Sequence, residues 1–385
     1  MARALLLLTG GRGIPDMLVV KYLHPDFVYN ITTKEGLPSA KNLQKVIRSE
    51  FGCEMEILET INPFNEEEIK GRCKEALQRH PDAEWIITIN SAPKIVSIFA
   101  CDLAREKNIP CWFLNTNDGE VISLSKDFPV DTEELFKATV DEYMKVYERD
   151  YEIPKSKDYR NLVQSEAYYN IARTLAHAPE ATHFFIKALR QAQHGQARNN
   201  SISLTIGDPQ VKSLVQSLAV MRALTIDDET SSGLQCTISN GDMREFLNGD
   251  WLEVYVWKEV NKADFAHDNQ WGYKIRTGQA ESELDVVLTS RGVLLIAECK
   301  TDEDPFTEKR KTYLDTLDSI ASWLGRTYVS KFFITNHPNP DTVQSYKSFR
   351  QQATQKRIFV LNGKDLPDIG NTLKLEAKDP TFPRI

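Results

Sequence analysis

The chain has 385 residues, a formal net charge of −8, 41% hydrophobic and 26% charged residues, 18 Gly and 17 Pro. That length suits two or three domains with cores of their own, and the composition excludes collagen-like, low-complexity and largely disordered chains. The net charge argues against sequence-independent coating of nucleic acid. Charge is also uneven. Residues 1–150 hold 18 Lys+Arg and 25 Asp+Glu, a net −7, whereas residues 151–385 hold 29 and 30, a net −1. A nucleic-acid partner therefore meets less repulsion in the second part. No run of about 18 apolar residues occurs, and Leu5–Leu8 is too short for a signal-peptide core, so no membrane span is expected and the expected location is the cytoplasm. The six cysteines (53, 73, 101, 111, 236, 299) form no C-x-x-C, and the seven histidines form no H-E-x-x-H, which speaks against a zinc or histidine-based metal site.

Along the chain, Ala4–Leu8 is an unbroken apolar run, as a buried parallel strand requires, and it ends in the loop Thr9-Gly10-Gly11-Arg12-Gly13. Further strands are predicted at Phe27–Ile31, Met55–Leu58, Trp85–Ile89 and Cys111–Leu114. Helical patterns at Ser39–Phe51, Glu66–Arg79 and Ile95–Lys107 alternate with them. This alternation predicts a doubly wound parallel sheet over residues 1–150. Residues 151–234 read as a mainly helical, polar connector, with Pro154-Lys155-Ser156-Lys157 as a linker and a weak segment at Gly195–Asn200. A second α/β domain is predicted over 235–385. It has strands at Leu234–Ile238, Lys331–Thr335 and Arg357–Leu361, a helix opening at Gly249-Asp250 and running to about Val260, and a helix at Glu308–Leu324. A hairpin of Glu283–Thr289 and Val293–Lys300 turns around Ser290-Arg291-Gly292.

The hairpin carries the sharpest chemistry. Glu283-Leu-Asp285 on one strand faces Glu298-Cys-Lys300 on the next. Alternation along a strand turns Glu298 and Lys300 to one side. With a two- or four-residue loop, Asp285 is expected opposite Ile296 and on that same side. Two carboxylates and an ammonium at a sheet edge suit phosphodiester hydrolysis. The carboxylates are oxygen ligands for Mg²⁺ or Mn²⁺, which activates water, and the lysine orients that water or stabilises developing charge. A salt-bridge cluster at a strand end is the competing reading. Glu253 adds a third carboxylate on a helix face with Val256, Trp257 and Val260, where a charge needs a partner. Its alternative is a capping box with Asp250 as N-cap. Glu283, and less so Glu281, could serve in its place. Lys309-Arg310-Lys311 could track a nucleic-acid backbone or simply form a solvated helix face.

The helix Glu, Glu-Leu-Asp and Glu-Cys-Lys together resemble the PD-(D/E)xK nuclease superfamily, with Leu284 standing where the family name has proline. The resemblance implies a restriction-endonuclease-like fold for 235–385. It makes Glu253, Asp285, Glu298 and Lys300 catalytic, the three carboxylates being ligands of Mg²⁺ or Mn²⁺.

In the front domain, loops rich in Gly, Thr, Ser and Asn sit at the carboxyl ends of parallel strands, where open α/β sheets bind ligands. The first loop lacks the G-x-G-x-x-G spacing of a dinucleotide fold. With Asn90-Ser91-Ala92-Pro93-Lys94 leading into a helix, it resembles instead a CARF (CRISPR-associated Rossmann fold) domain. That resemblance implies a pocket lined by Thr9, Gly10, Gly11 and Arg12, by Thr32 and Thr33, by Asn90, Ser91 and Lys94, and by Thr116 and Asn117. Turn chemistry is the alternative for each loop. CARF followed by PD-(D/E)xK resembles the ancillary nucleases of type III CRISPR antiviral defence. The family implies a homodimer that binds cyclic tetra-adenylate across its axis and cuts DNA by nicking or on single strands, with RNA cut by some members. Three alternatives compete: a ligand-gated transcription regulator with a winged helix hidden in 160–230, a repair or restriction nuclease with a structural front domain, and a non-catalytic nucleotide-binding scaffold.

Overall fold

The run Arg3–Thr9 forms β1, and Ala4–Leu8 has no exposed surface at all, because a parallel strand in the middle of a sheet is covered on both faces. The computed structural model describes residues 1–58, 60–196, 202–231, 233–277, 280–301, 304–307, 312–325 and 328–382. These form two compact units. Unit 1 is Met1–Asp150 with Thr289–Leu294 and Trp323–Val329; unit 2 is Tyr151–Leu288, Leu295–Ser322 and Ser330–Ile385.

Unit 1 is built on one sheet. After β1 come β2 (Phe27–Thr32), β3 (Met55–Ile57), β4 (Glu84–Thr88), β5 (Cys111–Asn115) and β6 (Glu120–Ser123), in the order β3-β2-β1-β4-β5-β6. The first five are parallel, and β6 returns antiparallel along β5. Helices Leu37–Phe51, Glu66–Arg79 and Lys94–Lys107 follow the predicted pattern. Helix Ile14–Leu23 does not show in the periodicity, since it is buried on nearly every side and reads as mostly apolar, with Asp16 and Lys21 as its charges. The chain leaves β1 towards β2 on one side and places β4 on the other. The carboxyl ends of β1 and β4 therefore flank the point where strand order reverses, the crevice in which such sheets bind ligands.

Unit 2 begins with β7 (Asp150–Glu152) and helices Lys157–Val163, Glu166–Ala176 and Pro179–Gln196. A small antiparallel sheet follows, of β8 (Ile202–Ile206), β9 (Thr225–Thr230) and β10 (Gly233–Ile238), in the order β8-β10-β9. The stretch expected to be mainly helical thus also contains β8 and β9. Strand β9 is exposed along its length and reads TIDDET, so it has no apolar pattern to give it away. Its Asp227, Asp228 and Glu229 would repel phosphates, which speaks against a DNA-binding wing here. The larger sheet adds β11 (Asp268–Thr277), β12 (Ala280–Ser290), β13 (Val293–Lys300), β14 (Val329–Thr335) and β15 (Ile358–Leu361), in the order β15-β14-β13-β12-β11-β7.

One element differs in a way that bears on the site. The helix carrying Glu253 does not open at Asp250. It starts at Gly241 behind Asn240, whose side chain accepts from the Met243 N–H, passes through a π turn at Phe246–Asp250 and continues as Trp251–Ala263. Asp250 is helical and its side chain makes no cap bond, so the capping-box alternative for Glu253 falls. The helix expected at Glu308–Leu324 is Thr312–Trp323, with Leu314, Leu317, Ile320 and Ala321 buried. Residues 308–311, and with them Lys309-Arg310-Lys311, lie outside the described residues, as do residues 197–200 of the Gly195–Asn200 segment. No described helix is long and apolar enough to cross a membrane.

Candidate active site and candidate ligand loops

The hairpin of β12 and β13 turns on Arg291 and Gly292, with φ of 51° and 73°. Two consecutive positive-φ residues make the two-residue turn that matches strand twist. Counting back from Ser290 and Val293 sets Asp285 level with Glu298, two residues beyond the expected Ile296 but on the same face. The contacts agree. Lys300 Nζ lies 2.6 Å from Glu298 Oε1 and 3.1 Å from Asp285 Oδ2. Asp285 Oδ2 also accepts the Cys299 N–H at 2.6 Å. Asp285 and Glu298 are 5% and 8% exposed, so this ion triad is desolvated rather than a surface pair. The Lys300 ammonium stands 5.0 Å from the Tyr313 ring centroid, a cation–π contact.

Burial pushes the Glu298 carboxyl up to about 7, with the Asp285 charge adding to the rise and Lys300 opposing it. Burial also holds Glu253 well above the usual carboxylate range, again reinforced by Asp285. Burial alone would lower Lys300, but the Asp285 and Glu298 charges prevail and raise it. Glu283 is raised by burial and by Asp285. Four carboxylates thus share one electrostatic field that includes the Lys300 ammonium. The carboxylate donors are oxygens, which fits Mg²⁺ or Mn²⁺. Among the described residues no group of three or more His, Cys, Asp or Glu is already gathered as a cage; Lys300 itself stands against both Asp285 and Glu298.

Several residues around this site give no signal in the sequence. Asp250 accepts from Tyr159 Oη at 2.8 Å and pairs with Lys155 Nζ at 2.9 Å, so part of the expected linker is an ion-pair partner of the site helix. Arg160 donates to the Trp271 carbonyl at 2.7 Å and stacks over its ring at 4.3 Å; Gly272, at φ +55°, has room beside the Arg160 and Glu253 side chains. Arg190 donates to the Asn248 carbonyl and the Thr301 carbonyl, both at 2.8 Å, and to Thr301 Oγ1 at 2.7 Å. It thereby ties the π turn before Glu253 to the residue after Lys300. These pairs are separated by 58 to 111 positions, beyond the reach of any local pattern.

In unit 1 the loops after β1 and β4 touch. The Gly10 N–H donates to Ser91 Oγ at 2.9 Å. Gly11, Arg12 and Lys94 are exposed, and Gly10, Asn90, Ser91 and Asn117 are half-buried. Thr9, Thr32, Thr33 and Thr116 are buried, at 1%, 2%, 6% and 4%. The first three are spent on loop geometry: Thr9 Oγ1 donates to Asp16, Thr32 Oγ1 to the Thr9 carbonyl at 2.7 Å, and Thr33 Oγ1 accepts from Gly36 N–H. These three hydroxyls bond within and between the loops, so Thr9, Thr32 and Thr33 frame the loops that the sequence offers as a pocket. The Arg12 guanidinium lies 5.4 Å from the Tyr328 ring centroid. Lys94 is the first residue of its helix, behind Pro93, which supplies no side-chain cap. A cation there opposes the helix dipole, unlike an anion.

Residues 240–378 match the family model of the Card1-like endonuclease domain. No curated protein sequence matches the chain. Among solved structures, protein VC1899 from Vibrio cholerae has a TM-score of 0.76 at 16% identity, covering 98% of each chain. Can2 from Sulfobacillus thermosulfidooxidans, solved in complex with cyclic tetra-adenylate, has a TM-score of 0.69 at 17% identity, covering 96% of this chain and 98% of the other. Likeness at that identity is likeness of fold. With the endonuclease-domain match, it bears out the expected order of a Rossmann-like parallel-sheet fold followed by an α/β domain similar to Card1-like endonucleases.

Proposed function

We propose that this chain, a CARF-type fold followed by a Card1-like endonuclease domain, is a metal-dependent nuclease switched on by cyclic tetra-adenylate in type III CRISPR defence in the cytoplasm. The observation that carries the reading is the buried triad of Asp285, Glu298 and Lys300 within the endonuclease-domain match. Asp285 and Glu298, with Glu253, are the residues that would hold Mg²⁺ or Mn²⁺, which supplies Lewis-acid polarisation of the scissile phosphate and a water of lowered pKa. Lys300 holds the two carboxylates in one orientation and offers its ammonium to the negative charge that develops at the phosphate. Cys299, alternating with them, keeps the strand anchored through its N–H to Asp285.

Support for the activator comes from unit 1: strand ends at the switch point, open loops at Gly11 and Arg12, and Lys94 at a helix start. A four-fold ring on a two-fold axis suits a homodimer, and Ile95 and Ile98 are exposed one helical turn apart on the same helix. DNA, nicked or single-stranded, is the proposed substrate, with RNA as the second. The test is cleavage of plasmid, single-stranded DNA and RNA with Mn²⁺ or Mg²⁺, with and without cyclic tetra-adenylate. Cutting only with the ring is expected. Cutting without it would remove the sensor, and no cutting of any substrate despite ring binding would favour the regulator alternative. Lys94→Ala is expected to weaken ring binding about tenfold, as loss of one charge-assisted contact implies, with the thermal midpoint unmoved; unchanged affinity by calorimetry would remove Lys94 from the pocket.

A further inference from the structure

Asp16 was not singled out by any sequence pattern, yet it is the most heavily bonded side chain at the carboxyl ends of the sensor strands. It sits on helix Ile14–Leu23, has no exposed surface, and reaches two loops. Its Oδ2 accepts from Thr9 Oγ1 at 2.8 Å and from Ser91 Oγ at 3.2 Å. Its Oδ1 accepts from Asn90 Nδ2 at 3.4 Å and from Thr88 Oγ1 at 3.5 Å. The bonds continue outward. Ser91 Oγ accepts the Gly10 N–H, Asn90 Oδ1 accepts the Leu114 N–H at 2.7 Å, and Thr9 Oγ1 accepts from Asn30 Nδ2 at 2.5 Å. One carboxylate is thereby linked to β1, β2, β4 and β5.

All four direct partners are neutral. A buried carboxylate without a cation is costly, and burial pushes Asp16 up to about 7. An asparagine would fill the same space without that cost. What it would not do is accept from every neighbour. In its ionised form the carboxylate only accepts, and then it obliges the Ser91 hydroxyl to donate inward and to turn a lone pair to Gly10. It likewise fixes the Asn90 amide with its NH₂ inward and its carbonyl on Leu114. An Asn side chain at 16 brings two N–H groups of its own, against which Ser91 and Asn90 must turn.

We infer that Asp16 is a positioning residue of the sensor pocket: it joins the loops after β1 and β4 and sets the orientation of Ser91 and Asn90, and so tunes affinity for the cyclic nucleotide without touching it. This rests on reading unit 1 as the cyclic tetra-adenylate sensor.

The experiment is Asp16→Asn in the full chain. Calorimetry with cyclic tetra-adenylate is expected to show affinity reduced tenfold or more, while the thermal midpoint of the free protein stays level or rises. Hydrogen exchange of the Gly10 and Leu114 amides is expected to quicken. Unchanged affinity overturns the proposal. So does a loss of affinity accompanied by a lowered midpoint, because that is the mark of a merely structural residue. If the unsubstituted protein binds no cyclic tetra-adenylate, the sensor reading fails by itself, and amide exchange decides on Asp16: unchanged exchange at Gly10 and Leu114 overturns its positioning role, and quickened exchange upholds it.

Discussion

Lys300→Ala is expected to lower nuclease turnover by at least about 100-fold, the range for a positioned acid–base or charge-stabilising group, with activator affinity unchanged. Its ammonium is bonded to Glu298 at 2.6 Å and Asp285 at 3.1 Å. Removal takes away the cation and also lets two buried carboxylates repel each other across the hairpin. Breaking a buried ion pair from one side costs about 3–5 kcal/mol; the Lys300 side chain is 21% exposed, so water screens part of that. A fall in turnover could therefore be blamed on unfolding. Glu298→Gln separates the two effects. It keeps the shape, removes a charge whose burial is already unfavourable and leaves Lys300 paired with Asp285, so it is expected to be as inactive as Lys300→Ala with a smaller fall in thermal midpoint. Turnover of nicked or single-stranded substrate, together with a melting curve for each variant, is the measurement. Retained cutting by both would sink the site.

The parts of this molecule that local pattern could reveal are those whose chemistry repeats within a few residues. Leu5–Leu8 is apolar without a break, which only a doubly covered strand tolerates. Glu298-Cys-Lys300 alternates, which puts its charges on one face whatever the register; hence the error of two residues in the partner of Asp285 left the face assignment intact. The helix around Glu253 shows the limit. Asp250 followed by Glu253 has the spacing of a capping box, yet helix structure already runs through Asp250 from Gly241, and a π turn intervenes. A π turn has no composition of its own and sits preferentially at functional sites. Thr9, Thr32 and Thr33 show another limit. Their residue types suit both a ligand and a turn, and only the folded chain shows their hydroxyls bonded to Asp16, the Thr9 carbonyl and the Gly36 N–H. Asp16 itself lies in an apolar helix and reads as a lone polar residue until β4 is folded against β1. Lys155, Tyr159 and Arg190 are legible only once the units are built, because each meets its partners across 58 residues or more.

The contrast between two neighbouring glycines provides the second large effect. A Cβ on Gly10 would lie 1.9 Å from the Ser91 carbonyl oxygen and 3.0 Å from its carbon; a Cβ on Gly11 would meet nothing within 4 Å. Ordinary contact needs about 3.4 Å, and the obstacle at Gly10 is backbone, which cannot swing aside as a side chain would. Gly10→Ala must therefore part the loops after β1 and β4 and break the Gly10–Ser91 hydrogen bond at 2.9 Å. Overpacking of this kind costs about 1–3 kcal/mol, which converts to a loss of roughly 5- to 150-fold if it falls on the bound arrangement. The expected result is a sharp loss of cyclic tetra-adenylate affinity in Gly10→Ala, with a thermal midpoint lowered by about 2–4 °C for each kcal/mol that falls on the free fold. Gly11→Ala, one residue away in the same loop, is expected to keep the midpoint. Calorimetry and melting of both variants give the comparison. Equal behaviour of the two would mean that the close approach of the loops plays no part in binding, and the pocket would have to be sought away from the β1–β4 switch point. A loss confined to Gly10→Ala would place the ligand where the two loops meet, since nothing else distinguishes these neighbours so strongly as the carbonyl of Ser91.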